Sequence, residues 1–233
     1  MSQAKKVFTR MCLNNWGGID HKVLEFHEYV NLFSGKSGSG KSTVMDAIQV
    51  ILYGSFSPSF LNKAADDAKN RRSVLSYLRG EQKDGSANRK DCDFCSVIAL
   101  EIEDTGTHII TCIGIAFEVR KSDSEIKKFV YFSHSGKMPE SEYLTEQGVC
   151  YSNQEIKKLV SARTKSDDNR GKGEVNRIYG SKEAYLGTLY DVILGYIDQN
   201  RFITMEKSAI ALKMTNGTGQ FIRDYMFPKN TSN

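Results

Sequence analysis

Eight consecutive residues, Gly35, Lys36, Ser37, Gly38, Ser39, Gly40, Lys41 and Ser42, satisfy the pattern GxxxxGK[ST] in full, and nothing else constrains this chain as tightly. The glycines let the backbone turn sharply enough to aim successive amide N–H groups at one anion. The setting also fits. Residues 29–33 before the motif are β-prone, and Val44, Ala47, Ile48, Ile51 and Leu52 after it fall at i, i+3, i+4, i+7 and i+8, the apolar stripe of a helix. That helix ends at Gly54, with Pro58 just beyond. A loop running into a helix N-terminus meets partial positive charge there, which favours phosphate. In this reading residues 34–43, flanked by Ser34 and Thr43, cradle a nucleotide. Lys41 reaches the β- and γ-phosphates, the Ser42 hydroxyl holds magnesium, Thr43 adds a contact near the α-phosphate, and Lys36 is a neighbouring positive charge. The expected cofactors are ATP and Mg2+. The alternative is a Gly-rich turn that caps a helix and binds nothing, and the combination of strand, motif and helix weighs against it.

Composition bounds the remainder. At 233 residues and 26.2 kDa the chain is long enough for one large α/β domain or two small ones. Its 39% apolar and 26% charged residues describe a globular protein, and 3 prolines exclude a collagen-like or Pro-rich chain. The net charge of +4 permits a phosphate-rich partner without requiring one. No stretch approaches the roughly 18 apolar residues of a membrane span, and the first dozen residues lack a signal-peptide run, so the expected address is cytoplasmic, with no membrane partner. Cys12, Cys92, Cys95, Cys112 and Cys150 form an odd, scattered set, which suits reduced thiols. Cys92 and Cys95 make one CxxC, but a second ligand pair at zinc spacing is missing, and packing thiols are the favoured reading.

Along the chain, residues 1–60 read as strands (7–13 and 23–26, then 29–33), the Gly-rich loop and its helix. Residues 61–95 form a polar, basic insertion whose only strong apolar patch is Val74, Leu75, Tyr77 and Leu78. Residues 96–133 carry three β-rich runs, 96–103, 108–119 and 127–132, expected as an antiparallel meander. Residues 134–233 are expected to be mainly helical. Within them 161–173 reads as a solvated loop, Ser181 as the N-cap of a helix with Tyr185, Leu189, Val192, Ile193 and Tyr196 on its apolar side, and 219–227 as a shorter helix stopped by Pro228.

Phosphoryl transfer also requires an acid at a strand end to place magnesium and a group to orient the attacking water. Two apolar runs end in an acid, 97–100 at Glu101 and 192–197 at Asp198. The first has Glu where Asp is expected, and the second has helical periodicity. An LSGG-like signature of ABC-type ATPases is missing from the sequence. The nucleotide loop is complete while its usual partners are not.

The opening LNNWGGIDHKVLEFHEYVNLFSGKSGSGKSTVMDAIQVILYGS resembles the N-terminal lobe of SMC-like ATPase heads, with Asp46, Ala47 and Ile48 in the place of that family's D-A-I/L. Within the family, FLNKAADDAKNRRSVLSYLRG and ALKMTNGTGQFIRDYMF resemble the MukB-like JetC subunit of Wadjet, a bacterial anti-plasmid system; MukB and SbcC heads share the opening and fit the later segments less well. The implied fold is an α/β P-loop NTPase of the ABC/SMC type, a head N-lobe with mixed and antiparallel strands plus flanking helices. The resemblance implies a divided ATPase. Its C-terminal lobe, beyond a long coiled coil, carries the magnesium acid and the signature, and the chain is expected to stop where that coiled coil begins. ATP would be sandwiched between this head and a second SMC-like head, with kleisin-type and accessory subunits and double-stranded DNA as further partners. Such heads use a glutamine near magnesium. Here Ser208 falls near its place, and Gln199, nine residues upstream, is the candidate, with a surface glutamine as the alternative.

Two other classes stay open: a self-contained small P-loop kinase or nucleotide hydrolase using Asp198, and a non-catalytic nucleotide-binding cap. Residues 157–182 hold eight basic and three acidic residues, and Lys165, Arg170 and Lys172, with their basic neighbours, suit a phosphate-tracking surface as well as a solvated face. Arg71 and Arg72 are likewise either nucleotide contacts or surface charges. If the cluster tracks DNA, reversing Lys165, Arg170 and Lys172 to Glu weakens binding and flattens its salt dependence, by about one unit of log–log slope for each phosphate left without its cation. An unchanged slope in a salt-titrated binding assay would assign them to the solvated face.

Overall fold

The computed structural model describes residues 6–26, 38–57, 73–166 and 175–195. Strands β1 (Lys6–Trp16) and β2 (Ile19–Glu25) form a hairpin, helix α1 spans Gly38–Tyr53 and helix α2 spans Val74–Arg79. The meander follows as β3 (Phe94–Asp104), β4 (Ile110–Val119) and β5 (Lys128–Ser135), then helix α3 (Asn153–Ser166), strand β6 (Arg177–Tyr179) and helix α4 (Lys182–Thr188), which runs into a π-helical turn, Leu189–Ile193. The six strands lie in the order β2-β1-β3-β4-β5-β6, and each described pairing is antiparallel. The expected strand at 29–33 lies outside the described residues, as do Tyr196 and the helix expected at 219–227.

Both faces of the sheet are covered. Along β3, Ile98, Leu100 and Ile102 join one apolar cluster, and Val97 and Ala99 join the other, so a strand buried on both sides reads as an almost unbroken apolar run. Gly114 on β4 makes room for its neighbour: a Cβ there would stand 2.5 Å from the Ile98 carbonyl and 2.7 Å from the Phe132 ring.

Helix α1 lies on β3 and β4, and every residue from Thr43 to Gly54 is buried. The five stripe residues do face the core, but Met45, Val50 and Tyr53 on the other sides are covered too. Such burial strands the carbonyls at the helix C-terminus, which lack intrahelical donors. Three phenols reach them. Tyr185 Oη donates to Ile51 O at 2.6 Å, Tyr190 Oη to Leu52 O at 2.6 Å, and Tyr131 Oη to Gly54 O. Burial pushes the Tyr131 phenol up to about 12 and raises that of Tyr185 well above the ordinary phenol range, so both remain donors.

The second face is closed by α3. Its start is a capping box that the sequence reading missed: Glu155 N–H donates to Ser152 Oγ at 3.4 Å while Ser152 N–H donates to Glu155 Oε2 at 2.9 Å. Ile156 and Val160, one turn apart, are buried. Helix α3 therefore continues to Ser166 through the first part of the expected loop at 161–173; that loop is corrected to helix as far as the structure describes it. The mainly helical reading of 134–233 also misses β6 and the turns of 136–152, where Leu144 bridges Cys150. Ser181 caps α4 by accepting from Ala184 N–H, as expected. Val192 does not join the apolar stripe and is 43% exposed, because the chain widens to π geometry, with Leu194 N–H bonding Leu189 O.

Beneath α3, His134 is fully buried, its Nδ1 bonded to Ser135 O at 2.9 Å and its Nε2 to Tyr143 Oη at 2.7 Å. Burial pushes its imidazole down to about 4. Below pH 6.5 the unfolded chain then binds a proton that the native state refuses, so stability is fully present above pH 6.5 and declines as pH falls toward 4. Urea unfolding should show a loss of about 2 kcal/mol between pH 7 and pH 5, a loss that His134→Gln removes. An equal decline in the variant would reassign it to other groups.

Candidate functional site

Of the residues singled out at 34–43, Ser34, Gly35, Lys36 and Ser37 lie outside the described residues. Gly38, Ser39, Gly40 and Lys41 form the first turn of α1, so the motif enters a helix as its spacing requires. Ser42 is partly exposed at that end and Thr43 is buried. Neither the first turn nor the last holds a counter-charge, acidic at one end or basic at the other. The positive end of the helix dipole is therefore left for an anion from outside the helix. Asp198, Gln199, Ser208, Arg71, Arg72, Arg170 and Lys172 lie outside the described residues.

What holds this end of α1 in place is the turn between β1 and β2. Trp16 Nε1–H donates to the Thr43 carbonyl at 3.0 Å, and the indole stacks on Tyr77 with centroids 4.8 Å apart and planes 5° from parallel. Tyr77 comes from α2, whose Ser73 N-cap accepts from Ser76 N–H and whose C-cap is the left-handed Gly80. Its hydroxyl donates to the Asp46 carboxylate, one helical turn beyond Ser42. Gly17 N–H completes the link by donating to Tyr77 O at 2.7 Å. The sequence marks Asp46 only through the D-A-I resemblance. Nothing in its spacing announces a partner 31 residues away.

Of the two candidate magnesium acids, Glu101 is not placed to serve. It lies on the α3 side of the sheet, opposite α1, because it shares the face of Val97 and Ala99 on β3. A bulge in β1 between Phe8 and Arg10 turns Thr9 and Arg10 toward it. Thr9 Oγ1 donates at 2.9 Å, Arg10 Nε and Nη2 at 3.3 and 3.1 Å, and Met138 N–H at 3.0 Å. Burial alone would push the Glu101 carboxyl up, but these bonds outweigh it and hold it below the ordinary carboxylate range. Its oxygens are committed to the fold.

The basic cluster is divided. Lys157, Lys158 and Lys165 are exposed on α3, whereas Arg163 Nη1 donates to Ser135 O at 2.7 Å and holds the helix to β5. Cys92 is exposed, and burial pushes the Cys95 thiol up to about 11. Among the described residues no group of three or more His, Cys, Asp and Glu side chains is placed to hold a metal ion. No helix among them is long and apolar enough to cross a membrane.

Comparison with known proteins shows similarity to a nucleotide-binding family and to a nuclease subunit. A family model described as the P-loop containing region of AAA domain matches residues 8–68, which take in most of β1, all of β2, the motif and α1. The C subunit of the SbcCD nuclease from Staphylococcus haemolyticus is 34% identical over 74 residues, covering 30% of this chain and 6% of that protein. The chain thus spans a small fraction of the length of the curated relative it matches.

The Tyr77 contact generates a direct test of the brace. Tyr77→Phe keeps the ring on Trp16 and removes one donor from a buried carboxylate, which costs about 1 to 3 kcal/mol in urea unfolding. Unchanged stability would show that Asp46 does not depend on this phenol.

Proposed function

We propose that this chain, a P-loop ATPase of the SMC and SbcC type, is the N-terminal, ATP-binding lobe of a DNA-motor head. The observation that carries the reading is the complete GxxxxGK[ST] motif opening a helix that is buried from Thr43 onward, with Ser42 at its partly exposed start and no acidic residue in its first turn. In this reading residues 34–43 hold the nucleotide: Ser34, Gly35, Lys36, Ser37, Gly38, Ser39 and Gly40 wrap the phosphates, Lys41 meets the β- and γ-phosphates, and Thr43 lies near the α-phosphate. Ser42 would hold magnesium, which supplies neutralisation of phosphate charge.

The finer reading is a JetC-like subunit of a Wadjet system, supported by the segments SVLSYLRG and FIRDYMF. Hydrolysis between paired heads would then drive DNA translocation or loop extrusion in plasmid defence, in the cytoplasm at the nucleoid. The partners in that reading are a C-terminal lobe with its coiled coil, a second head, kleisin-type and accessory subunits, and double-stranded DNA contacted by Lys165, Arg170 and Lys172. The C-terminal lobe would supply the magnesium acid, with Gln199 as the water-orienting candidate of this lobe. The placement of Glu101 on the far face supports an acid from elsewhere.

The decisive experiment is an ATP titration with a parallel turnover assay on the 233-residue chain, with Lys41→Ala as control. The variant should bind roughly 100-fold more weakly, the scale of about 3 kcal/mol for a charge-assisted contact. Unchanged affinity would refute the site. Binding without turnover supports a lobe that needs its partner, and turnover abolished by Lys41→Ala would instead support a self-contained enzyme using Asp198.

A further inference from the structure

Arg89 belongs by sequence to the polar, basic stretch, yet it is only 6% exposed. Its guanidinium donates through Nε to Leu78 O at 2.7 Å, through Nη2 to Gly17 O at 2.5 Å and through Nη1 to Asp20 Oδ1 at 3.2 Å, and it lies 5.7 Å from the Phe94 ring centroid. Asp20 is well exposed, so the buried part of the fork is satisfied by two backbone carbonyls. A planar guanidinium bound to fixed carbonyls selects one conformation of the chain that bears them.

That chain is the turn beneath α1. Gly17 is gripped from both sides, its N–H by Tyr77 O and its carbonyl by Arg89. Its φ of +59° and its packing both require glycine: a Cβ would stand 2.9 Å from Thr43 Cγ2. Gly80 closes the other side, where a Cβ would lie 2.6 Å from Gly17 O and 3.0 Å from Arg89 Nη2. Trp16, one residue earlier, bonds the Thr43 carbonyl. The seat of the first α1 turns is thus set by a side chain from a different part of the sequence.

We propose that Arg89 is a positioning residue for the nucleotide loop, acting through Gly17 and Trp16 on Thr43 and setting nucleotide affinity without touching the nucleotide. The proposal rests on the nucleotide-binding reading above. Trp16 is the only tryptophan in the chain, so its emission reports this contact directly.

The test is a titration of the full chain with Mg-ATP, followed by Trp16 emission and independently by displacement of a fluorescent ATP analogue, at a temperature where circular dichroism shows each variant folded. Arg89→Met should weaken binding roughly 10-fold and shift the emission of the nucleotide-free protein, and Arg89→Lys should recover part of both. Gly17→Ala leaves the Arg89 side chain unaltered but strains the turn it holds, and should weaken binding by a similar factor. Adding Thr43→Ser, which removes the clashing methyl, should restore at least about threefold. Wild-type protein that fails to bind ATP would overturn the nucleotide reading and this inference with it. Lys41→Ala losing affinity while folded Arg89→Met and Gly17→Ala bind as wild type, with only their unfolding midpoints lowered, would overturn the positioning role alone. If Arg89→Met does not fold, the Gly17→Ala and Thr43→Ser pair decides, and absence of rescue refutes the route through Thr43.

Discussion

The burial of helix α1 is the constraint around which the rest of the molecule is arranged. A helix enclosed from Thr43 to Gly54 needs donors for its terminal carbonyls inside the protein, and its N-terminus has to stay free of protein anions if it is to receive one from outside. Tyr131, Tyr185 and Tyr190 meet the first need with neutral hydroxyls. Trp16 fixes the other end through a carbonyl rather than through an amide, and so leaves the amide face of the first turn uncommitted by that contact. The helix itself carries no acid in its first turn and no base in its last.

The two sides of the sheet divide the polar work. On the α1 side, the brace of Trp16, Gly17, Tyr77, Asp46 and Arg89 converges on the start of α1. On the α3 side, Glu101 gathers Thr9, Arg10 and Met138, and His134 pairs with Tyr143. A carboxylate and an imidazole in one protein invite a catalytic reading, but these hydrogen bonds hold loops and strands together. The side of the sheet on which a group lies decides what it can reach.

Much of this was legible in the sequence where periodicity is strong. The meander, the first two strands, the end of α1 at Gly54 and the Ser181 cap follow from alternation, helical spacing and turn residues, while α1 begins at Gly38, inside the expected loop. Helix α3 was missed beyond residue 160 because its outer face is basic and small, and only Ile156 and Val160 face inward. The capping box Ser152 to Glu155 was the signal that would have found its start. Arg89 was illegible for a different reason: a buried arginine satisfied by backbone carbonyls has the same composition as a solvated one, and its acceptors lie 11 and 72 residues away. Glu101 was a candidate because it ends an apolar run, and such a run does not show which face of the sheet its last residue takes.

The three phenolic caps have a consequence for how the protein is made. Tyr185 and Tyr190 close on carbonyls 134 and 138 residues earlier in the chain. During synthesis the Gly-rich motif leaves the ribosome long before the residues that finish its helix. Until residue 190 emerges, the end of that helix has carbonyls without their native donors and an apolar surface without its cover. The helix that the sequence announces first is, in time, among the last to be completed.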